Sequence, residues 1–258
     1  MDYEKLKKEK FIIAGPCVIE SEEICFLTCE NILKICEKYN FLYIFKSSFD
    51  KANRTSINSF RGPGLSKGLK ILNKIKEKFK VPVTTDIHES WQAEEVKEII
   101  DIIQIPAFLS RQTDLLISAG KTGKIVNIKK GQFLSGKDMY FACEKVKSTK
   151  NSKIILTERG TFFGYGNLVV DFRNIVDMKE FGFPVVFDAT HSVQKPGALS
   201  GKSGGDKKYV PYLTLCANAC GVNGFFFEVH PEPDKALSDG PNMIDFKTFE
   251  KILEKIKD

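Results

Sequence analysis

Apolar runs of five to seven residues alternate with longer stretches of helical periodicity along the whole chain. The runs are FIIAG from Phe11, LYIFK from Leu42, VPVTTD from Val81, IIQIP from Ile102, IVNIK from Ile125, KIILTE from Lys153, PVVFDA from Pro184 and GFFFEVH from Gly224. β-Branched and aromatic residues fill them almost continuously, which is the pattern of strands covered on both faces. Between the runs, apolar spacing predicts helices near 22–38, 65–79, 89–100, 112–121, 137–148, 171–181 and 209–220, with a last helix from about Asp245 to the end. Eight strand–helix units, with no linker or low-complexity segment between them, predict an α/β fold: one domain over 1–258, its parallel sheet closed into a (β/α)8 barrel. An open doubly wound sheet is the competing arrangement, but no glycine fingerprint follows the first run.

Composition narrows the function classes. The chain has 258 residues, 42% hydrophobic and 28% charged, enough to bury one large core. The 39 basic and 33 acidic residues leave a net charge of +6, too mild for a nucleic-acid footprint and better suited to an enzyme with anionic substrates. No apolar stretch approaches the roughly 18 residues of a membrane span. Seven scattered cysteines, with no C-x-x-C pair and no signal peptide, fit reduced thiols in the cytoplasm. Cys216 and Cys220, four apart on an apolar helical stretch, read as buried thiols rather than ligands.

In a barrel the chemistry sits where the strands end. The predicted exits read Gly15-Pro16-Cys17, Lys46-Ser47-Ser48, Asp86-Ile87-His88-Glu89, Gln104-Ile105-Pro106, Lys129-Lys130, Glu158-Arg159-Gly160, Asp188-Ala189-Thr190-His191 and Glu228-Val229-His230. Every exit carries polar or ionisable groups, whereas the strand starts are bland. One subset is cationic: Lys46, Lys51, Arg54, Lys129 and Arg159. A single lysine after a strand is ordinarily a solvated loop residue. Several from different strands on one rim call for phosphate or carboxylate. A second subset, Cys17, His191, Glu228 and Asp239, is a candidate metal site, because strands one, seven and eight are neighbours in a closed barrel. Thiolate, imidazole and carboxylates together suit Zn²⁺ or Fe²⁺. Spacing alone is a weak signal that favours Cys17 as buried filler, and it leaves His191 readable as a general base or a structural residue. Residues 195–206, KPGALSGKSGGD, read either as a lid that orders over a ligand or as a surface connector.

The motifs AGPCVIES (14–21), FKSSFDKANRTS (45–56), TDIHE (85–89), QIPAFLSRQTD (104–114), KKGQF (129–133), LTERG (156–160), DATHSVQ (188–194) and EVHPEP (228–233) span nearly the whole chain in order. Together they resemble the 3-deoxy-D-manno-octulosonate 8-phosphate synthases. Related 3-deoxy-D-arabino-heptulosonate 7-phosphate synthases share the GPC and ATH elements but typically read K-P-R-T where this chain has Lys51-Ala52-Asn53-Arg54-Thr55-Ser56. A heptulosonate synthase acting on erythrose 4-phosphate is therefore the alternative reading.

The resemblance implies a homotetrameric barrel that condenses phosphoenolpyruvate with D-arabinose 5-phosphate, on the route to lipopolysaccharide. It implies that Lys46, Lys51, Lys129 and Arg159 hold phosphoenolpyruvate, with Gln104 lining that pocket. Asn53, Arg54 and Thr55 would receive the pentose phosphate and Asp86 the sugar, while Arg111 would reach a neighbouring subunit's site. Lys51, Lys129, His191 and Asp239 are the candidate catalytic groups. Family members with Asn after Gly-Pro act without metal and those with Cys need a divalent ion. Cys17 thus implies one such ion, Zn²⁺ or Fe²⁺ ahead of Mn²⁺, with His191, Glu228 and Asp239 as its other ligands. Ten residues before the first strand are expected to leave no room for the relatives' regulatory extensions, and no nucleic-acid or membrane partner is expected.

Overall fold

The computed structural model describes residues 1–54, 56–163, 166–199 and 202–257. Eight parallel strands close on themselves: β1 (Phe11–Gly15), β2 (Leu42–Lys46), β3 (Val83–Asp86), β4 (Ile102–Ile105), β5 (Ile125–Lys129), β6 (Ile154–Glu158), β7 (Val185–Asp188) and β8 (Gly224–Glu228). Each pairs with its sequence neighbours, and β8 returns to β1 with Phe11 opposite Gly224 and Gly15 opposite Glu228. That last pairing places the GPC turn beside the carboxylate of Glu228.

Pleat alternation divides the core into two layers. Phe11, Ile13, Ile44, Ile102, Ile125, Ile155, Val186 and Phe226 fill the barrel, while their neighbours, such as Ile12, Phe45, Ile128, Leu156, Phe225 and Phe227, pack outward under the helices. The outer layer includes α2 (Glu22–Lys38), α3 (Leu65–Phe79), α4 (Gln92–Val96), α5 (Thr113–Lys121), α6 (Met139–Lys147), α7 (Arg173–Lys179), α8 (Val210–Ala219) and α9 (Phe246–Ile256). Ser21 and Asp245 start α2 and α9 by accepting backbone N–H bonds with their side chains.

Several sequence expectations need correction. A short helix, α1 (Tyr3–Lys8), precedes the first strand and stops the amino-terminal end of the barrel. Its Leu6 and Tyr3 join the interior cluster, and the Tyr3 hydroxyl donates to the Ile154 carbonyl at 2.7 Å. The helix predicted over 89–100 is only α4. Gln92 turns its side chain back to accept from the N–H groups of His88 and Glu89, and beyond Val96 turn bonds lead the chain into β4. The 195–206 segment lies in a hairpin, Gln194–Leu199 against Lys202–Gly205, with Ser200 and Gly201 outside the described residues. A second hairpin, Thr161–Phe163 with Asn167–Val169, follows β6. Cys216 is exposed and Cys220 half-buried, because the inward positions of α8 are Val210, Thr214 and Ala217.

Candidate active site

The carboxyl ends of the strands open into a cavity of about 1510 Å³. Of the candidate residues, Lys46, Lys51, Asn53, Arg54, Asp86, Gln104, Lys129, Arg159, His191 and Asp239 line it. Cys17 and Glu228 lie fully buried at its edge. Arg111 is exposed and outside the cavity, and Thr55 lies outside the described residues.

The floor is built by β1, β2 and β8. At Gly15 a Cβ would fall 2.0 Å from the Lys46 carbonyl oxygen, so only glycine lets β1 and β2 approach this closely. Lys46 Nζ then donates to the Cys17 carbonyl at 2.9 Å and to Glu228 Oε1 at 3.3 Å. Lys51 Nζ stands 3.8 Å from the same carboxylate oxygen. Burial opposes the Glu228 charge, but the fields of His191, Lys51, Lys46 and Lys129 prevail and bring its pKa down to about 2.

Three of the four proposed ligands form one close group, and His191 stands beside two of them. Donor atoms of Cys17, Glu228 and Asp239 lie within 4.8 Å of one another. His191 Nε2 approaches Glu228 Oε1 at 3.3 Å and Asp239 Oδ2 at 3.8 Å. The Cys17 sulfur contacts Ser238 Oγ at 2.8 Å and Asp239 Oδ2 at 3.2 Å. Burial pushes the Cys17 thiol well above its ordinary value, and the Asp239 and Glu228 carboxylates push it further. Asp239 itself has φ +50°, a left-handed conformation unusual for a residue other than glycine.

Asp188 was read only as a polar strand exit, yet it organises the opposite wall. It accepts from Lys129 Nζ, from His191 Nδ1 at 2.7 Å and from the His191 backbone N–H at 2.9 Å. With Nδ1 donating to Asp188, the other ring nitrogen is left facing Glu228 and Asp239. Burial would raise the Asp188 carboxyl, but His191 and Lys129 hold it far below the carboxylate range. Phe226 also escaped the sequence reading: Lys129 Nζ sits 3.7 Å from its ring centroid, within cation–π range. A signal existed, since alternation within GFFFE points the middle phenylalanine into the barrel.

Burial lowers Lys129 and Arg159, and for Lys129 the nearby charges of Lys46 and Arg159 add to that effect. An entering anion relieves this crowding. Across the cavity, Asp86 accepts from Ser48 and contacts His88 Nε2 at 3.0 Å. Arg54 donates Nε to the Phe60 carbonyl at 3.1 Å and keeps a buried Nη2 with no hydrogen-bond partner among the described residues. Gln194, at the base of the 194–205 hairpin, accepts from Arg159 Nη2 at 2.6 Å.

Comparison with known proteins shows the family. The family model described as the DAHP synthetase I family matches residues 6–258. A 2-dehydro-3-deoxyphosphooctonate aldolase from Fusobacterium nucleatum is 56% identical over 248 residues, covering 96% of this chain and 89% of that protein. Proteins of the same name from Desulfatibacillum aliphaticivorans and a Cyanothece species are 57% and 54% identical over 245 residues, each covering 95% of this chain and 90% of theirs. The chain therefore belongs to the DAHP synthetase I family, on the branch formed by the octulosonate 8-phosphate synthases.

Proposed function

We infer that this enzyme condenses phosphoenolpyruvate, D-arabinose 5-phosphate and water to 3-deoxy-D-manno-octulosonate 8-phosphate and inorganic phosphate. The observation that carries this reading is the meeting of Lys46, Lys51, Lys129 and Arg159 in one cavity beside the Cys17–His191–Glu228–Asp239 cluster. Two phosphorylated reactants repel each other, and the cations offset that repulsion while fixing both in line. Lys46, Lys51, Lys129 and Arg159 hold the phosphate and carboxylate of phosphoenolpyruvate, with Gln104 alongside. The unpartnered Arg54 Nη2, with Asn53, takes the pentose phosphate at the other end, and Asp86 accepts from a sugar hydroxyl. The enol carbon C3 attacks the aldehyde carbon, positive character grows at C2, and water adds there. Phosphate then leaves by C–O cleavage.

The donor set fits a borderline dication, Zn²⁺ or Fe²⁺ before Mn²⁺. Among the described residues Glu228 Oε2 is buried without a hydrogen-bond partner, and the Nε2 of an Asp188-bound His191 faces two carboxylates, an arrangement a cation resolves. Cys17, His191, Glu228 and Asp239 would hold it. When bound, such an ion supplies polarisation and orientation of a substrate oxygen. Arg111, exposed just after the cavity-lining segment Pro106–Leu109, supports a homotetramer in which it completes a neighbour's pentose-phosphate site. Among the described residues no helix is long and apolar enough to cross a membrane, in keeping with a cytoplasmic enzyme.

Phosphate release from phosphoenolpyruvate tests the reading, with arabinose 5-phosphate and erythrose 4-phosphate in parallel. Turnover with the pentose, lost with a chelator and restored by added divalent ion, is expected. Preference for the tetrose would overturn the substrate assignment, and full activity under chelation would overturn the metal.

A further inference from the structure

We propose that the buried Lys130–Glu158 ion pair is a positioning device for the phosphoenolpyruvate subsite, holding the ends of β5 and β6 so that Lys129 and Arg159 meet the same anion. The proposal rests on the reaction just inferred, which puts both cations on one substrate.

The geometry follows from pleat alternation. Inside the barrel, Thr157 Oγ1 donates to Asn127 Oδ1 at 2.7 Å, and Lys129 and Arg159 continue those inward rows into the cavity. Lys130 and Glu158 alternate to the outer face, next along the rows of Ile128 and Leu156, and neither side chain is exposed. Their charged atoms are 3.7 Å apart. Lys130 Nζ donates to the Leu134 carbonyl at 3.0 Å, to Thr161 Oγ1 at 3.1 Å and to the Gly131 carbonyl at 3.3 Å. One ammonium thereby ties the loop after β5 to the hairpin after β6. On the other side, Glu158 Oε1 accepts the Gly160 N–H at 2.6 Å, closing a turn in which Gly160 has φ +91°. Arg159 is the residue inside that turn. Each cation of the subsite is thus the chain neighbour of one member of the pair.

Ion pairing by itself gives no reason for charges here. An apolar pair of similar volume in such a place is commonly as stable as the ions or more so. Burial pushes Lys130 down and Glu158 up, and each is the strongest opposing influence on the other. What an apolar pair lacks is the directional bonding to Leu134, Thr161 and Gly160.

The test is the double variant Lys130→Met/Glu158→Leu, with the single variant Glu158→Gln as a milder second arm. Circular dichroism is expected to match the parent for the double variant, with a lower melting temperature because the Leu134 carbonyl and the Gly160 N–H lose their partners. A misplacement of about 1 Å at a reacting site costs on the order of a hundredfold. We therefore expect kcat/KM for phosphoenolpyruvate to fall about tenfold to a hundredfold, carried by KM for that substrate, while KM for arabinose 5-phosphate holds. Glu158→Gln should weaken phosphoenolpyruvate binding in calorimetry in the same direction. A folded double variant with parental kinetics, or with equal KM increases for both substrates, overturns the proposal. So does unchanged phosphoenolpyruvate binding by Glu158→Gln if the double variant does not fold. Parent enzyme that binds phosphoenolpyruvate yet makes no product would instead overturn the reaction, and calorimetry would still decide the role of the pair.

Discussion

Replacing Asp188 by Asn changes one charge and almost no volume, at the residue that joins the two halves of the site. The carboxylate accepts from Lys129 Nζ, from His191 Nδ1 at 2.7 Å, from the His191 N–H at 2.9 Å and from Thr190 Oγ1 at 3.3 Å. An amide offers one acceptor oxygen, and its NH₂ must face a donor. Lys129 loses its counter-charge in either amide orientation; with the NH₂ at the oxygen position that Lys129 and His191 Nδ1 share, the His191 tautomer also inverts and turns an N–H toward Glu228 and Asp239. Breaking a buried pair from one side costs about 3–5 kcal/mol. If about 3 kcal/mol of that reaches the transition state, turnover falls by roughly two orders of magnitude. The known penalty of about 10⁴ for an Asp-to-Asn change behind a catalytic histidine sets the upper end. If His191 holds the proposed ion, removing the carboxylate behind its imidazole should also weaken metal binding about tenfold to a hundredfold. Phosphate release gives the first number, and divalent ion retained after dialysis gives the second. A folded Asp188→Asn enzyme with kcat/KM within about threefold of the parent and unchanged ion retention would refute the reasoning.

Three further outcomes are expected. Lys129→Ala should lower turnover about a hundredfold or more with the circular dichroism spectrum intact, because a cation aimed at developing charge is removed; normal rates would exclude Lys129 from catalysis. Leu6→Ala, at a fully buried position in the barrel plug, should lower unfolding free energy by about 3–5 kcal/mol in denaturant titration. Glu228 has its folded pKa depressed to about 2, so its stabilisation is complete above its unfolded value near 4.5. That stabilisation, roughly 3 kcal/mol, should be lost as pH falls through 4.5 toward 2. Acid titration of the metal-free protein should therefore be less steep in Glu228→Gln.

The barrel was legible because its strands are covered on both faces, so their composition alone marks them. Helix α1 was not, since Glu4, Lys5, Lys7 and Lys8 surround the two residues, Tyr3 and Leu6, that turn inward. In the hairpin after β6, Leu168 is buried while Phe162, Phe163 and Val169 are exposed, so its apolar residues mark no single buried face. Gly-Pro-Cys, KANR and the strand exits pointed to most of the cavity wall. Asp188, Lys130 and Glu158 stood in the same motifs, but their roles depend on which face of the strand each occupies. A string of exit residues does not fix that phase. The exposure of Cys216 was likewise hidden, because an apolar helix reads as buried whichever side meets the barrel.

The stopper formed by Tyr3 and Leu6 has a consequence for traffic. With the far end of the barrel packed shut, two reactants must enter and two products depart through the opening bordered by Lys51, Arg54, Phe60, Gln194, Gly205 and the 236–241 turn. Whatever binds deepest is covered by whatever binds next. On the proposed assignment of the inner cations to phosphoenolpyruvate, that reactant arrives first, and the eight-carbon product and the freed phosphate leave by the route along which their precursors came.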